Sequence, residues 1–154
     1  MTDAPRTGDD HPFAATFRRA LERLVNKDTA GWVSMFAEDG AMEFPYAPPG
    51  YPERLDGRAA IAEYMRGYPD IVDLTSFHIE AFHRTVNPDV ALVEFSVSGR
   101  AVPTNRPYTM RYVGVIRLRG GEVVHYRDYW NPLVAAAAFG GADATVAAFN
   151  QEAR

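Results

Sequence analysis

From Pro12 onward the apolar residues Phe13, Phe17, Ala20, Leu21, Leu24 and Val25 recur every three or four positions, while Arg18, Arg19, Glu22 and Arg23 fill the opposite side. That spacing predicts a helix with one face in a core. The pattern breaks near Asn26. Asp28 is placed to cap a second, shorter helix carrying Trp32, Val33, Met35 and Phe36, and Glu38-Asp39-Gly40 predicts its end, with the glycine in a left-handed C-terminal position. Ala41 to Phe44 reads as a short strand. Pro45 to Asp56 contains four prolines, which exclude a helix or a central strand and predict a stiff loop. That loop is either a fixed wall carrying Tyr46 and Tyr51 over a pocket or a plain connector. Gly57 to Tyr68 predicts a third helix with Ile61, Tyr64, Met65 and Tyr68 on one face, ended by Pro69.

Beyond Pro69 the period changes to that of strands, over Leu74–Val86, Val90–Val102, Tyr108–Arg119 and Glu122–Trp130. Asn87-Pro88-Asp89, Pro103 to Pro107 and Gly120-Gly121 mark the turns. Long strands joined by short turns predict an antiparallel meander that must curve or bulge, with the early helices covering one face. The expected architecture is α+β: a cone in which a strongly curved, mainly antiparallel sheet folds around N-terminal helices and leaves a cavity between them. Asn131-Pro132 is a helix start, and one or two short helices should follow, divided by Gly140-Gly141. Residues 1–11 carry no apolar period and read as a disordered tail, leaving 12–154 as one domain.

Composition narrows the function classes. The 154 residues suffice for a core without disulfides, and the absence of cysteine removes a thiolate nucleophile and suits a reducing cytoplasm. A net charge of -4 with scattered arginines argues against nucleic acid as a partner. No apolar run approaches membrane-spanning length. His78 and His83 are five positions apart and face opposite sides of an unbroken strand, and no metal-ligand spacing occurs, so neither a metal nor a cofactor is expected.

The candidate chemistry lies in E-V-V-H-Y-R-D-Y-W-N-P-L, residues 122–133. Strand alternation places Val124, Tyr126, Asp128 and Trp130 on one face and Val123, His125, Arg127 and Tyr129 on the other. Asp128 between two large rings is either a desolvated acid/base or a structural partner of Arg127 or another arginine. Tyr108, Met110 and Tyr112 share a face of the preceding strand and either extend an aromatic lining or fill core. Glu43 and Glu94 either reach the cavity or lie solvated or paired with arginine. The opposite face, with His125, Arg127, Tyr129, Thr109, Arg111, Val113 and Val115, suits an isologous homodimer interface.

The order helix, helix with M-F-A-E-D-G at Met35 to Gly40, short strand, proline loop, helix after Gly57-Arg58, and strands ending R-D-Y-W-N-P at Arg127 to Pro132 resembles the nuclear transport factor 2-like (cystatin-like) superfamily. Within it the chain is most similar to SnoaL-like proteins and to phenazine-pathway proteins of the PhzA and PhzB type. The resemblance covers about Pro12 to Gly140. It implies that Asp128 stands where the phenazine proteins carry an acid/base glutamate, and that Tyr64 stands where they carry a histidine. Steroid isomerases of this fold place an aspartate before the proline after the first strand, where this chain has Phe44. Epoxide hydrolases of this fold use an aspartate, an arginine and a second aspartate, of which Asp128 supplies one. The expected function is a cofactor-independent enzyme of small-molecule biosynthesis, of cyclase, isomerase or dehydratase type. Asp128, Tyr64 and Tyr46 would carry the chemistry, and Trp130, Tyr126, Tyr51, Tyr112, Met110 and Phe44 would hold the substrate. The alternatives are a non-catalytic dimeric protein that binds a ligand or partner, and an epoxide hydrolase.

Overall fold

A computed structural model describes residues 11–150 of the chain. The expected tail lies outside the described residues except for His11, which is buried and stacks on Phe82. Helix α1 (Ala14–Val25) buries Phe17, Ala20, Leu21 and Leu24, the stripe that its spacing dictates. Helix α2 (Thr29–Val33) begins where the Asp28 side chain accepts a hydrogen bond from the Gly31 amide at 2.9 Å.

The second helix is shorter than its apolar pattern suggests. Strand β1 (Phe36–Glu43) starts within the expected helix, so Glu38, Asp39 and Gly40 are strand residues. The physical reason lies in their partners. Asp39 pairs with Arg119 at 2.6 Å, and a Cβ on Gly40 would stand 2.8 Å from the Val123 carbonyl oxygen. Gly40 therefore permits close strand approach and does not cap a helix.

The proline loop is not wholly irregular. Its end forms β2 (Arg54–Asp56), antiparallel to β1. Helix α3 (Arg58–Arg66) and a single 3-10 turn at Tyr68–Asp70 follow. Strands β3 (Val72–Arg84), β4 (Val90–Ala101), β5 (Arg106–Arg119) and β6 (Glu122–Trp130) form the antiparallel meander. The sheet order is β2-β1-β6-β5-β4-β3, with β1 and β6 parallel. Helices α4 (Pro132–Phe139) and α5 (Ala142–Phe149) complete the described chain. No single helix among the described residues is long and apolar enough to cross a membrane.

Bulges set which side chains face inward. In β6 the register shifts so that His125 opposes Arg117 and Val123 opposes Leu118, leaving Val124 as the extra residue. Val123 is consequently fully buried and Val124 is not, reversing the expected placement of these two residues. A shift in β3 between Ile79 and Ala81 acts likewise: His78 opposes Ser96 and His83 opposes Leu92, on one face of β4. His78 and His83 thus share the outer face.

Candidate active site around Asp128

Five parts of the fold converge on one cavity. From β6 come Tyr126, Asp128 and Trp130, from β5 Tyr108 and Tyr112, and from α3 and the turn after it Tyr64 and Tyr68. The proline loop and its approach add Tyr51 and Phe44, and α5 adds Phe149. The cavity volume is about 60 Å³, enough for a few waters or a molecule of a handful of heavy atoms. Its base is Asp128, whose cross-strand neighbour is Gly114.

Asp128 is 7 % exposed, and its Oδ1 is buried with no hydrogen-bond partner among the described residues. Among the described residues, no arginine, lysine or histidine lines the cavity. Burial alone raises its pKa from 3.8 to about 8, because ionisation in a dry site forfeits hydration that nothing replaces. At neutral pH the carboxyl is therefore mainly protonated.

The phenols around it are paired with one another. Tyr51 shares a hydrogen bond with Tyr64, Tyr108 shares one with Tyr112 at 3.0 Å, and Tyr68 lines the same wall. Desolvation, first, and the nearby Asp128 charge, further down, push all five upward, and Tyr126 with them. These hydroxyls stay protonated across the physiological range and can donate hydrogen bonds to an oxygen in the cavity.

Asp128, Tyr64, Tyr51, Tyr126, Tyr112, Trp130 and Phe44 all line this space. Two expected residues do not. Tyr46 is 61 % exposed and packs its ring on Tyr129 at 5.1 Å, because the chain turns outward after Phe44 and brings back only Tyr51. Met110 is fully buried but does not reach the cavity wall. Glu43 is bound to His125 and Arg54 on the outer face, where that hydrogen bonding holds its pKa below the usual carboxylate value. Glu94 pairs with His83 at 2.7 Å. The cavity also takes Phe149, Phe139 and Thr145 from the terminal helices, which the Ala-rich sequence there identified as helical without indicating a face.

A curved, mainly antiparallel sheet around three N-terminal helices, with an inward carboxyl at the end of the last strand, is the nuclear transport factor 2-like fold of the α+β class. Within that class the chain belongs to the SnoaL-like domain family, whose pattern matches residues 17–126. It is 40% identical over 126 residues to the uncharacterized protein YesE of Bacillus subtilis, covering 82% of this chain and 86% of that one. It is 38% identical over 125 residues to an uncharacterized PhzA/B-like protein of Pseudomonas aeruginosa, covering 81% and 88%. A crystal structure of a Bacillus subtilis protein provisionally named an isomerase superposes with a TM-score of 0.80 at 40% identity, covering 82% and 91%. Solved structures at 16% to 23% identity share the fold alone.

Proposed function

We propose that this protein is a cofactor-independent enzyme that transfers a proton on a small, uncharged, oxygen-bearing molecule, in an isomerisation, dehydration or cyclisation. The observation that carries this reading is the unpaired, buried Asp128 carboxyl facing a cavity walled by phenols. A carboxyl kept there for packing alone costs stability without a compensating bond. With its pKa near 8 it gives up a proton and regains one near neutral pH, where general acid/base catalysis is most effective. It delivers a proton to one position of the substrate and recovers one from another, so the group ends as it began. A substrate carboxylate or phosphate would be stripped of water without meeting a cation, which favours an uncharged substrate. Phenol donors suit a carbonyl or hydroxyl oxygen.

The 40% identical protein named provisionally as an isomerase supports the reaction class. Epoxide opening by an aspartate, an arginine and a second aspartate is less well supported, since Asp128 is the one ionisable carboxylate on the cavity wall and no arginine joins it among the described residues. A homodimer joined through the outer sheet faces and a cytoplasmic setting complete the reading. The test is α-proton exchange into deuterium oxide, followed by NMR for a panel of small ketones. The wild type should accelerate exchange of at least one, and Asp128→Asn should lose that acceleration by about 10²-fold or more. Equal acceleration by the two proteins would end the assignment.

A further inference from the structure

The cavity around Asp128 shares walls with two surface depressions, each of about 410 Å³. The first shares Phe95, Tyr112 and Trp130 with it. All three are strand residues, on β4, β5 and β6, each held in the ladder by its register partners. The second shares Tyr51, Tyr64 and Phe149, and continues outward over Gly50, Pro52, Leu55, Ala60 and Glu63. The three shared residues come from a loop, α3 and the last turn of α5, and β2 contributes Leu55 to the outer depression alone.

Helix α5 is mounted differently from every other element at the site. Its principal packing partner is α4, from which it diverges by 85°. The junction is Gly140-Gly141, with φ of 92° and 130° and open space where either Cβ would stand. Both amides donate to the Ala136 carbonyl oxygen, at 2.9 and 2.7 Å, so the pair caps α4, and two adjacent glycines in conformations that other residues rarely adopt, with open space where side chains would stand, mark the turn about which α5 can pivot. On the far side, Val146 of α5 lies beside Gly50 of the proline loop, its methyl 3.3 Å from where a Cβ on that glycine would stand. Between hinge and seam, Phe149 stacks on Tyr64 (6.2 Å, 21°) and contacts Tyr51 (5.5 Å) and Phe139 (5.5 Å).

We propose that ligands reach Asp128 through the seam between α5 and the proline loop, with Phe149 as the plug that sets the size of what enters. The strand wall is the back of the chamber. Opening α5 about its glycine hinge withdraws one ring from the wall and joins the inner cavity to the outer depression. This inference is independent of the proton-transfer reading, since it concerns passage and not chemistry.

The chain's two tryptophans, Trp32 and Trp130, both line the cavity; Trp130 also borders the first depression, so it is the quenching of Trp32 that reports what penetrates the cavity. Acrylamide should quench the wild type weakly and Phe149→Ala several-fold more strongly, with a larger gain for the bulkier N-tert-butylacrylamide. Because the chain has no cysteine, Gly50→Cys with Val146→Cys gives a seam that can be locked. Oxidation should suppress quenching below the wild-type level, and reduction of the same sample should restore it. Unchanged quenching on oxidation, or in a folded Phe149→Ala protein, would overturn the proposal. So would a larger gain from Tyr112→Ala, which opens the strand wall instead.

Discussion

The Tyr126 hydroxyl lies over Gly114, 3.1 Å from where a Cβ on that glycine would stand. Gly114 is the register partner of Asp128, so a missing side chain on β5 makes room for the ring beside the carboxyl. Tyr126 is held from its other side by Trp32 and Phe36, at centroid distances of 6.2 and 6.1 Å, and cannot easily move away. Gly114→Ala should therefore lose about 1 to 2 kcal/mol of stability through overpacking, despite the lower chain entropy that alanine brings to the unfolded state. Urea denaturation that shows an equal or more stable variant would refute this account of the glycine.

Asp128→Asn separates catalysis from folding. If the carboxyl held an arginine, the change would cost roughly 3 to 5 kcal/mol. Here Oδ1 has no hydrogen-bond partner among the described residues, and the variant should melt at the wild-type temperature or above it. A large fall in melting temperature would reverse the assignment.

The same residue sets a dependence on pH. The folded-state pKa is raised from 3.8 to about 8, so between these values the folded protein binds more protons than the unfolded chain. Stability from this group is complete below the lower value and declines as pH rises towards the upper one. Wild type should lose stability relative to Asp128→Asn across that window, as measured by denaturation at a series of pH values. Activity that begins with proton donation should fall as pH passes about 8. A stability difference that shrinks with rising pH would contradict the burial argument.

The helices, the meander and the position of Asp128 were legible because each rests on a local rule: the stripe of α1, the Gly120-Gly121 turn, and the alternation of Tyr126, Asp128 and Trp130. What was not legible depends on distant partners. Gly40 looks like a helix cap until the Val123 carbonyl is placed beside it. The bulges at Val124 and Glu80 have no glycine or proline to mark them, yet each reverses the faces of its neighbours. Tyr46 and Tyr51 occur in the same proline-rich loop, and only its path separates an outer ring from an inner one. Phe149 lies in an Ala-rich helix with apolar residues on every side, so no stripe points to the cavity.

The tyrosine pair at the chamber mouth should behave as one unit. Tyr64→Phe leaves the Tyr51 hydroxyl without its bond from Tyr64, and Tyr51→Phe does the converse, each costing about 1 to 3 kcal/mol. The double variant should cost less than the sum of the two, with a coupling of at least about 0.5 kcal/mol in a double-mutant cycle. Strict additivity would mean that the hydroxyl pair contributes nothing.

Val113, Val115, Arg127 and Tyr129 form an outer patch in the β5–β6 register, and the Arg127 Nε is buried without a partner among the described residues. Such a mixture of apolar and polar side chains suits a second copy of the same patch. Light scattering at micromolar concentration should give a dimer mass. A monomer mass there would reject the interface.

The parallel contact between β1 and β6 has a consequence for how the chain is made. Ala41 pairs with His125, 84 positions later, so the strand adjoining the N-terminal helices waits for nearly the whole polypeptide before its inner edge is covered. Closing so large a loop precedes any gain from the pairing, which slows folding. During synthesis the first half of the protein leaves the ribosome with an open strand edge. The sheet is completed only when the segment bearing Asp128 arrives, and the cavity is walled in only when α4 and α5 follow it.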